Sequence, residues 1–206
     1  MLKKLFARQF RRPSGPLGHF AARFMEKNNQ DYIAHVCDLL DVQNDDAILE
    51  IGCGVGHAIE MILKKNGRCS VDAIDFSPIM LKKAAKRNQR EVGEGRIRFF
   101  KGDFGDFDFG KSVYSKIFAI NVIYFWNDLD AQFSKIFTLL KKEGRVVLFM
   151  SSPERLKNIS FAVDEVFNKH TIDQVETALS KAGFKKVDHQ TVVKMGFDTF
   201  YVIAEK

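Results

Sequence analysis

Glu50-Ile51-Gly52-Cys53-Gly54-Val55-Gly56 is the segment of this chain whose residue types and spacing point most directly to chemistry. Glycines at alternate positions let the backbone turn sharply and let a ligand lie against it with no Cβ in the way. A dinucleotide fingerprint of the form GxGxxG would place its last glycine at position 57, where this chain has His57. GxGxG behind an acidic strand end is a different pattern. Nineteen residues past Gly56 comes Asp75, where a carboxylate can accept both hydroxyls of a ribose. The competing role for Asp75, a cap for the following helix, is already filled by Ser77. Gly102-Asp103-Phe104 and Asn121 then close two further apolar runs. Polar or glycine residues thus end four successive runs.

Side chains able to move a proton are His19, Tyr32, His57, Tyr124 and His170, none with a partner that spacing identifies. For each, a packed or exposed side chain is the commoner explanation. Tyr124, in Asn121-Val122-Ile123-Tyr124-Phe125-Trp126, follows a strand end where a second substrate would dock, and it ranks first with His19 as a catalytic candidate. Cys37, Cys53 and Cys69 are an odd set with no CxxC pair, which argues against a disulfide framework and against zinc, so no metal site is expected. A reducing cytoplasm suits them.

The elements that must position these residues follow from residue 47 onward, where β-rich apolar runs alternate with helical patterns as in a parallel sheet wrapped by helices. Strands are expected at 47–51, 70–74, 96–100, 116–121, 145–150, 184–190 and 198–204, and helices near 55–66, 78–92, 130–142 and 171–182. Ser77-Pro78 opens a helix and Gly183 stops one. Too few residues separate the last two strands for a crossover, so they form an antiparallel pair. Before residue 47 the sequence reads as helices at 2–11 and 20–40, split by Arg12-Pro13-Ser14-Gly15-Pro16-Leu17-Gly18. The fold class is α/β, a doubly wound, Rossmann-like, seven-stranded and mostly parallel sheet with an antiparallel C-terminal strand and N-terminal helices. Residues 1–44 form an arm or lid, and 45–206 the binding domain.

ILEIGCGVG, IDFSPIML, GDF and the Asn121 strand end, in this order and spacing, resemble the successive motifs of class I S-adenosylmethionine-dependent methyltransferases. The match covers about residues 45 to 150, and the tail is most similar to the small-molecule branch that includes ubiquinone- and menaquinone-biosynthesis C-methyltransferases. The resemblance implies S-adenosyl-L-methionine as cofactor and S-adenosyl-L-homocysteine as product. It implies that Glu50 orients the loop, that Gly52, Cys53, Gly54 and Gly56 approach the methionine part, and that Asp75 holds the ribose. Phe76 would flank the adenine, Asp103 with the Phe104 backbone would read its edge, Asn121 would face the amino-acid portion near the methyl group, and Met80 and Val122 would also bind the cofactor. Lys142-Glu143-Gly144 departs from the family's usual Pro-Gly-Gly, at a turn away from the cofactor. Methyl transfer needs alignment and water exclusion, and a base only when the acceptor must lose a proton. By the same resemblance, the Asn121 segment lacks the prolines of adenine-amino enzymes and the chain lacks the Pro-Cys pair of cytosine enzymes, which leaves a small-molecule acceptor.

The 206 residues carry a net charge of +6 and 46% apolar residues, enough for one sizeable core and no disordered chain. The whole excess charge lies in residues 1–27, and the body is neutral. Leu2, Leu5, Phe6 and Phe10 share one helical face, with Lys3, Lys4, Arg8, Arg11 and Arg12 around the rest. That arm suits either a lid over the cofactor or peripheral contact with an anionic membrane, and nucleic acid is disfavoured. No run is long enough to span a bilayer. Twenty phenylalanines against four tyrosines and one tryptophan are unusual. Phe20, Phe24, Phe125, Phe161 and Phe167 would roof an acceptor site, which points to a quinone, a lipid or an aromatic metabolite, although core packing explains the same residues equally well. An RNA methyltransferase and a sensor that holds the cofactor without turnover are the rival readings, and a nicotinamide-dependent dehydrogenase is the least supported.

Overall fold

Strands apolar on both faces need helices on both sides, and from residue 47 this chain supplies the two in turn. The structure is a computed structural model and describes residues 2–15, 17–18 and 32–206. Helix α1 spans Leu2–Arg11 and α2 covers 32–40. Then come β1 (Ala47–Ile51), α3 (His57–Lys65), β2 (Ser70–Asp75), α4 (Pro78–Arg87), α5 (Gln89–Gly93), β3 (Ile97–Lys101) and β4 (Tyr114–Ile120). A 3-10 turn (Ile123–Phe125) leads to α6 (Leu129–Leu139), β5 (Leu140–Ser151), α7 (Pro153–Lys157), α8 (Ile172–Ala182), β6 (Lys186–Lys194) and β7 (Phe197–Glu205). No helix among the described residues is long and apolar enough to cross a membrane.

The seven strands lie in the order β3-β2-β1-β4-β5-β7-β6. β1 pairs in parallel with β2 and β4, so that Ile51 sits beside Ile74 and Ala119, and β7 runs antiparallel to both β5 and β6. The expected sheet is therefore the observed one. Strand pleating sends Leu49, Ile51, Ile117, Ala119 and Val146 to a core closed by Phe133, Ile136 and Leu179 of α6 and α8. Their neighbours Ile48, Val71, Ala73, Phe118 and Val147 face a second core closed by Val36, Ile59 and Ile62 of α2 and α3. Truncating a fully buried ring such as Phe118 costs about 3–5 kcal/mol. The strand order reverses between β1 and β4, and such a reversal opens a crevice at their carboxyl ends.

Helix ends follow local chemistry. Ser77 caps α4 with Pro78 behind it, a Thr171–Gln174 capping box starts α8, and Gly183 at φ 107° ends it. Most expected boundaries shift by one or two residues, and three elements differ by more. The helix expected at 78–92 breaks at Asn88, whose buried side chain turns back to donate to the Gly56 and Ala84 carbonyls. The helix expected at 130–142 stops at Leu139, because β5 already begins at Leu140 and absorbs Lys142-Glu143-Gly144 as an irregularity with Glu143 at φ 64°. The strand expected at 184–190 lies at Lys186–Lys194, since Phe184 is buried and the two-residue turn Met195-Gly196, with both φ angles positive, sets the register of the hairpin. Of the expected helix 20–40, residues 20–31 lie outside the described residues.

Candidate functional site

The glycine loop leaves β1 at the reversal point, and each of its glycines has a positive φ: 72° at Gly52, 51° at Gly54 and 71° at Gly56. The Gly52 and Cys53 amides both donate to the Ile74 carbonyl, at 2.8 and 3.3 Å, which ties the loop to β2. The neighbours then separate two glycines that the sequence could not distinguish. A Cβ on Gly56 would meet the Ala84 Cβ and the Asn88 Nδ2 at 2.8 Å, so Gly56 lets α4 pack against the loop. A Cβ on Gly54 would meet nothing within 4 Å, and Gly54 lines the main cleft. Gly56 serves packing and Gly54 keeps the cleft open.

Asp75 closes the loop from the β2 side. Its Oδ2 accepts the Gly54 amide at 2.9 Å and its Oδ1 accepts the Ser77 amide at 2.8 Å. A carboxylate offers about four acceptor positions, so two remain for hydroxyls. Burial raises the Asp75 pKa, against the two amides that lower it. Glu50 is 4% exposed, lines the same cleft, and has one carboxyl oxygen, Oε2, with no partner. Burial and then the nearby Asp75 charge push its pKa well above the ordinary carboxylate range. Burial also pushes the Cys53 thiol up. The cleft encloses about 850 Å³, counting its open mouth. Cys53, Phe76, Met80, Asn121 and Val122 complete the expected part of its wall.

A second cleft adjoins the first, with Gly52, Asp75, Phe76 and Val122 common to both. Asp103 and Phe104 line it, and Asp103 Oδ1 accepts the Gly105 amide at 2.9 Å. Two residues here carry no sequence signal. Gln132 on α6 lines the cleft with its buried Oε1 unpartnered, and Lys135 one turn on donates to the Gly105 and Phe107 carbonyls at 2.9 and 2.6 Å. Lys135 thereby fixes the loop that carries Asp103.

Of the two catalytic candidates, only Tyr124 falls among the described residues. His19 lies outside the described residues. Tyr124 is 3% exposed and lines neither cleft. Its hydroxyl donates to Asn121 Oδ1 at 3.1 Å and accepts the Ser151 amide, while burial pushes its pKa up to about 12. That places Tyr124 behind Asn121, holding it. Asn121 itself stands at φ 59°, a left-handed conformation uncommon outside glycine and frequent at ligand sites. His57 lines the first cleft with a buried, unpartnered Nδ1, and His170 faces the Trp126 carbonyl at 3.0 Å.

The basic arm reaches the same place. Phe10, Arg11 and Pro13 line the first cleft, and Arg11 lines the second as well. The Ser77 hydroxyl, beside Asp75, donates to the Pro13 carbonyl at 2.6 Å in a buried setting. Phe10 stacks on Phe161 with ring centres 4.0 Å apart, Ala7 is fully buried, and Lys3, Arg8 and Arg12 are exposed away from the cleft lining. Of the phenylalanines expected to roof the cleft, Phe125 lines it and packs on Phe167, whereas Phe20 and Phe24 lie outside the described residues.

Residues 48–144 match the family described as "Methyltransferase domain". The matched stretch runs from β1 into β5 and contains the glycine loop, Asp75, Asp103 and Asn121. The chain is a class I S-adenosylmethionine-dependent methyltransferase. This methyltransferase is 28% identical over 176 residues to the uncharacterized methyltransferase YdaC of Bacillus subtilis (strain 168), a match covering 82% of this chain and 88% of that one. It is 24% identical over 156 residues to the sterol 24-C-methyltransferase of Kluyveromyces lactis, covering 70% of this chain but 42% of that one. It thus spans most of the first relative and less than half of the second. In fold it is similar to Haemonchus contortus phosphoethanolamine N-methyltransferase 2 in complex with S-adenosyl-L-methionine, with a TM-score of 0.76 at 17% identity over 91% of this chain and 56% of the other. The methyltransferase's cofactor is S-adenosyl-L-methionine. The residues present fit that group: the open face of Gly54, the orphan Glu50 oxygen and the spare acceptor positions of Asp75 lie in one cleft.

Proposed function

We propose that this methyltransferase acts on a small, mainly apolar molecule and that the described part of residues 1–44 is the lid of the domain formed by 45–206. The observation that carries the reading is the arm laid across the cofactor cleft. Phe10, Ile33, Ile120 and Phe125 give the cleft an apolar wall beside Asn121, and the Ser77–Pro13 bond brings the arm down onto it. A cleft roofed in this way suits a compact acceptor better than a folded RNA. The sterol 24-C-methyltransferase supports the same class, as a relative whose name specifies an apolar acceptor.

The residue roles follow from placement. Asp75 holds the ribose with the acceptor positions left by Gly54 and Ser77, and Glu50 sets the loop and offers its free oxygen to the cationic end of the methionine part. Cys53, Gly52 and Gly54 lie against that part, while Gly56 acts from behind the loop. Phe76 and Met80 sandwich the adenine, Asp103 with the Phe104 backbone and Gln132 reads its edge, and Asn121 with Val122 positions the amino-acid portion. The cofactor supplies an electrophilic methyl group on a good leaving group. The protein's part is alignment of the acceptor and exclusion of water, which in well-oriented systems reaches effective molarities of roughly 10⁵–10⁸ M. Tyr124 contributes by holding Asn121, and no side-chain nucleophile is required.

Incubation with methyl-labelled S-adenosylmethionine and an extract of the source cell, followed by partition of the label, tests the acceptor class. Label in the organic phase is expected. Label in RNA would overturn the reading and make the basic arm a phosphate clamp with steep salt dependence. The outward face of the arm, with Lys3, Arg8 and Arg12 around a half-exposed Leu5, supports peripheral contact with an anionic membrane. Flotation of the full chain with anionic liposomes should show association that weakens with salt, and none at any salt would remove that contact.

A further inference from the structure

Among the described residues, Arg155 is a cation near the cleft with no counter-ion. Ser152 caps α7 and its hydroxyl accepts the Arg155 amide at 3.2 Å, which fixes the root of the side chain at the carboxyl end of β5. The guanidinium then lies 5.9 Å from the centre of the Tyr32 ring, and its Nη2 donates to the Tyr32 hydroxyl at 3.0 Å. Nη1 is buried and has no acceptor, and no carboxylate among the described residues pairs with Arg155. Tyr32 is 5% exposed and is held by a stack on Phe149 with ring centres 4.1 Å apart. Because its oxygen accepts from Arg155, its own proton is left to donate.

Neither Arg155 nor Tyr32 lines either cleft; the pair lies one layer behind the wall. Ile33, next to Tyr32 on α2, lines the first cleft. On the other side stands Tyr124, whose hydroxyl bonds the cleft residue Asn121 and lies within reach of the Arg155 charge. Burying a guanidinium without an anion is costly, and its planar fork matches the oxygens of a carboxylate or a phosphate. One orphan N–H and one available O–H beside an apolar cleft thus make two donors for one oxyanion.

We propose that Arg155 Nη1 and the Tyr32 hydroxyl form an oxyanion subsite that holds a carboxylate or phosphate on the methyl acceptor while its apolar body lies in the cleft. The subsite rests on the reading that this chain methylates a small apolar acceptor, and it narrows that acceptor to an amphipathic acid. Arg155 and Tyr32 are positioning residues, since neither reaches the transferred methyl.

Calorimetric titration of the S-adenosylhomocysteine-loaded protein with decanoate, decyl phosphate and decanol tests it, with the same series repeated on the unloaded protein. Either acid should bind about ten- to a hundredfold tighter than the alcohol, and the tighter of the two identifies the group. Arg155→Met should erase that preference, Arg155→Lys should restore part of it, and Tyr32→Phe should weaken it, all with S-adenosylhomocysteine affinity unchanged. Equal binding of acid and alcohol, no binding of any probe, or a preference that survives both Arg155→Met and Tyr32→Phe would overturn the subsite. Failure of S-adenosylhomocysteine to bind the wild-type protein would instead strike the methyl-transfer reading, and the probe comparison would still be read on the unloaded protein.

Discussion

The glycine loop after β1 and the basic arm above it border the same cleft and are held in opposite ways. The loop is fixed by backbone: amides of Gly52 and Cys53 on the Ile74 carbonyl, the Gly54 amide on Asp75, and a glycine at position 56 where any Cβ would collide with α4. The arm is fixed by side chains, with Phe10 on Phe161, buried Ala7 and the Ser77 hydroxyl on the Pro13 carbonyl. A cradle that must meet the same cofactor at every turnover gains from rigid backbone, whereas the arm, in its proposed role as a lid, gains from contacts that can be made and broken.

The comparison breaks hardest at Gly56. Gly56→Ala combines a left-handed alanine with contacts at 2.8 Å, and it should cost about 2–5 kcal/mol in urea denaturation. Gly54→Ala, with nothing within 4 Å, should cost only about 1–2 kcal/mol of stability and instead weaken cofactor binding. Equal stability losses at the two sites would contradict the division between packing and ligand. Next is Asn88, whose amide ties α4 to the loop through Gly56 and Ala84. Asn88→Ala should lose about 1–3 kcal/mol, with cofactor affinity falling although the residue lines neither cleft.

The buried carboxyls sharpen the comparison through pH. Burial raises the Glu50 pKa well above 4.5 in the folded chain, so the folded state keeps a proton that the unfolded chain releases. Glu50's share of stability is therefore fully present below about 4.5 and is lost as pH rises through its raised value, with Asp75 contributing in the same direction from 3.8. Melting temperatures of the cofactor-free protein should fall over that window, and Glu50→Gln should flatten most of the fall. A wild-type curve that rises there would be inconsistent with a buried, unpartnered Glu50. The smallest effect belongs to the arm's charges. The Lys4–Glu165 pair, at 3.7 Å with both side chains about half exposed, is worth less than about 0.5 kcal/mol, so Glu165→Ala should leave stability and turnover almost unchanged. Phe10→Ala, by contrast, should lower acceptor turnover measurably.

The cofactor half of the site was legible because its determinants are local: three glycines, an acid and strand ends separated by fixed crossover lengths. Asp75 and Asn121 fall at the carboxyl edge because the alternation of strands and helices leaves them nowhere else. The acceptor half rests on contacts between distant residues. Pro13 meets Ser77 across 64 positions and Tyr32 meets Arg155 across 123, and no spacing rule announces either. The same reason explains the misplaced helix ends. Asn88 breaks a good helical pattern because its side chain is needed by a loop 32 residues earlier, and the polar run Lys141-Lys142-Glu143 reads as helix until main-chain bonds of Glu143 and Gly144 to Lys206, just past β7, draw it into β5. Tyr124 was singled out from its place after a strand end, but its depth could not be read there, and the structure gives its hydroxyl to Asn121 and Ser151.

In the proposed site a backbone-built cradle presents Asp75 to the ribose of S-adenosylmethionine. Calorimetric titration of S-adenosylhomocysteine into the wild-type protein and Asp75→Ala, with the fold of each checked by thermal unfolding, tests it most directly. The charge-assisted bonds in question are worth about 1.5–3 kcal/mol, so a ten- to hundredfold loss of affinity in a folded variant is the expected result. Unchanged affinity would contradict the account.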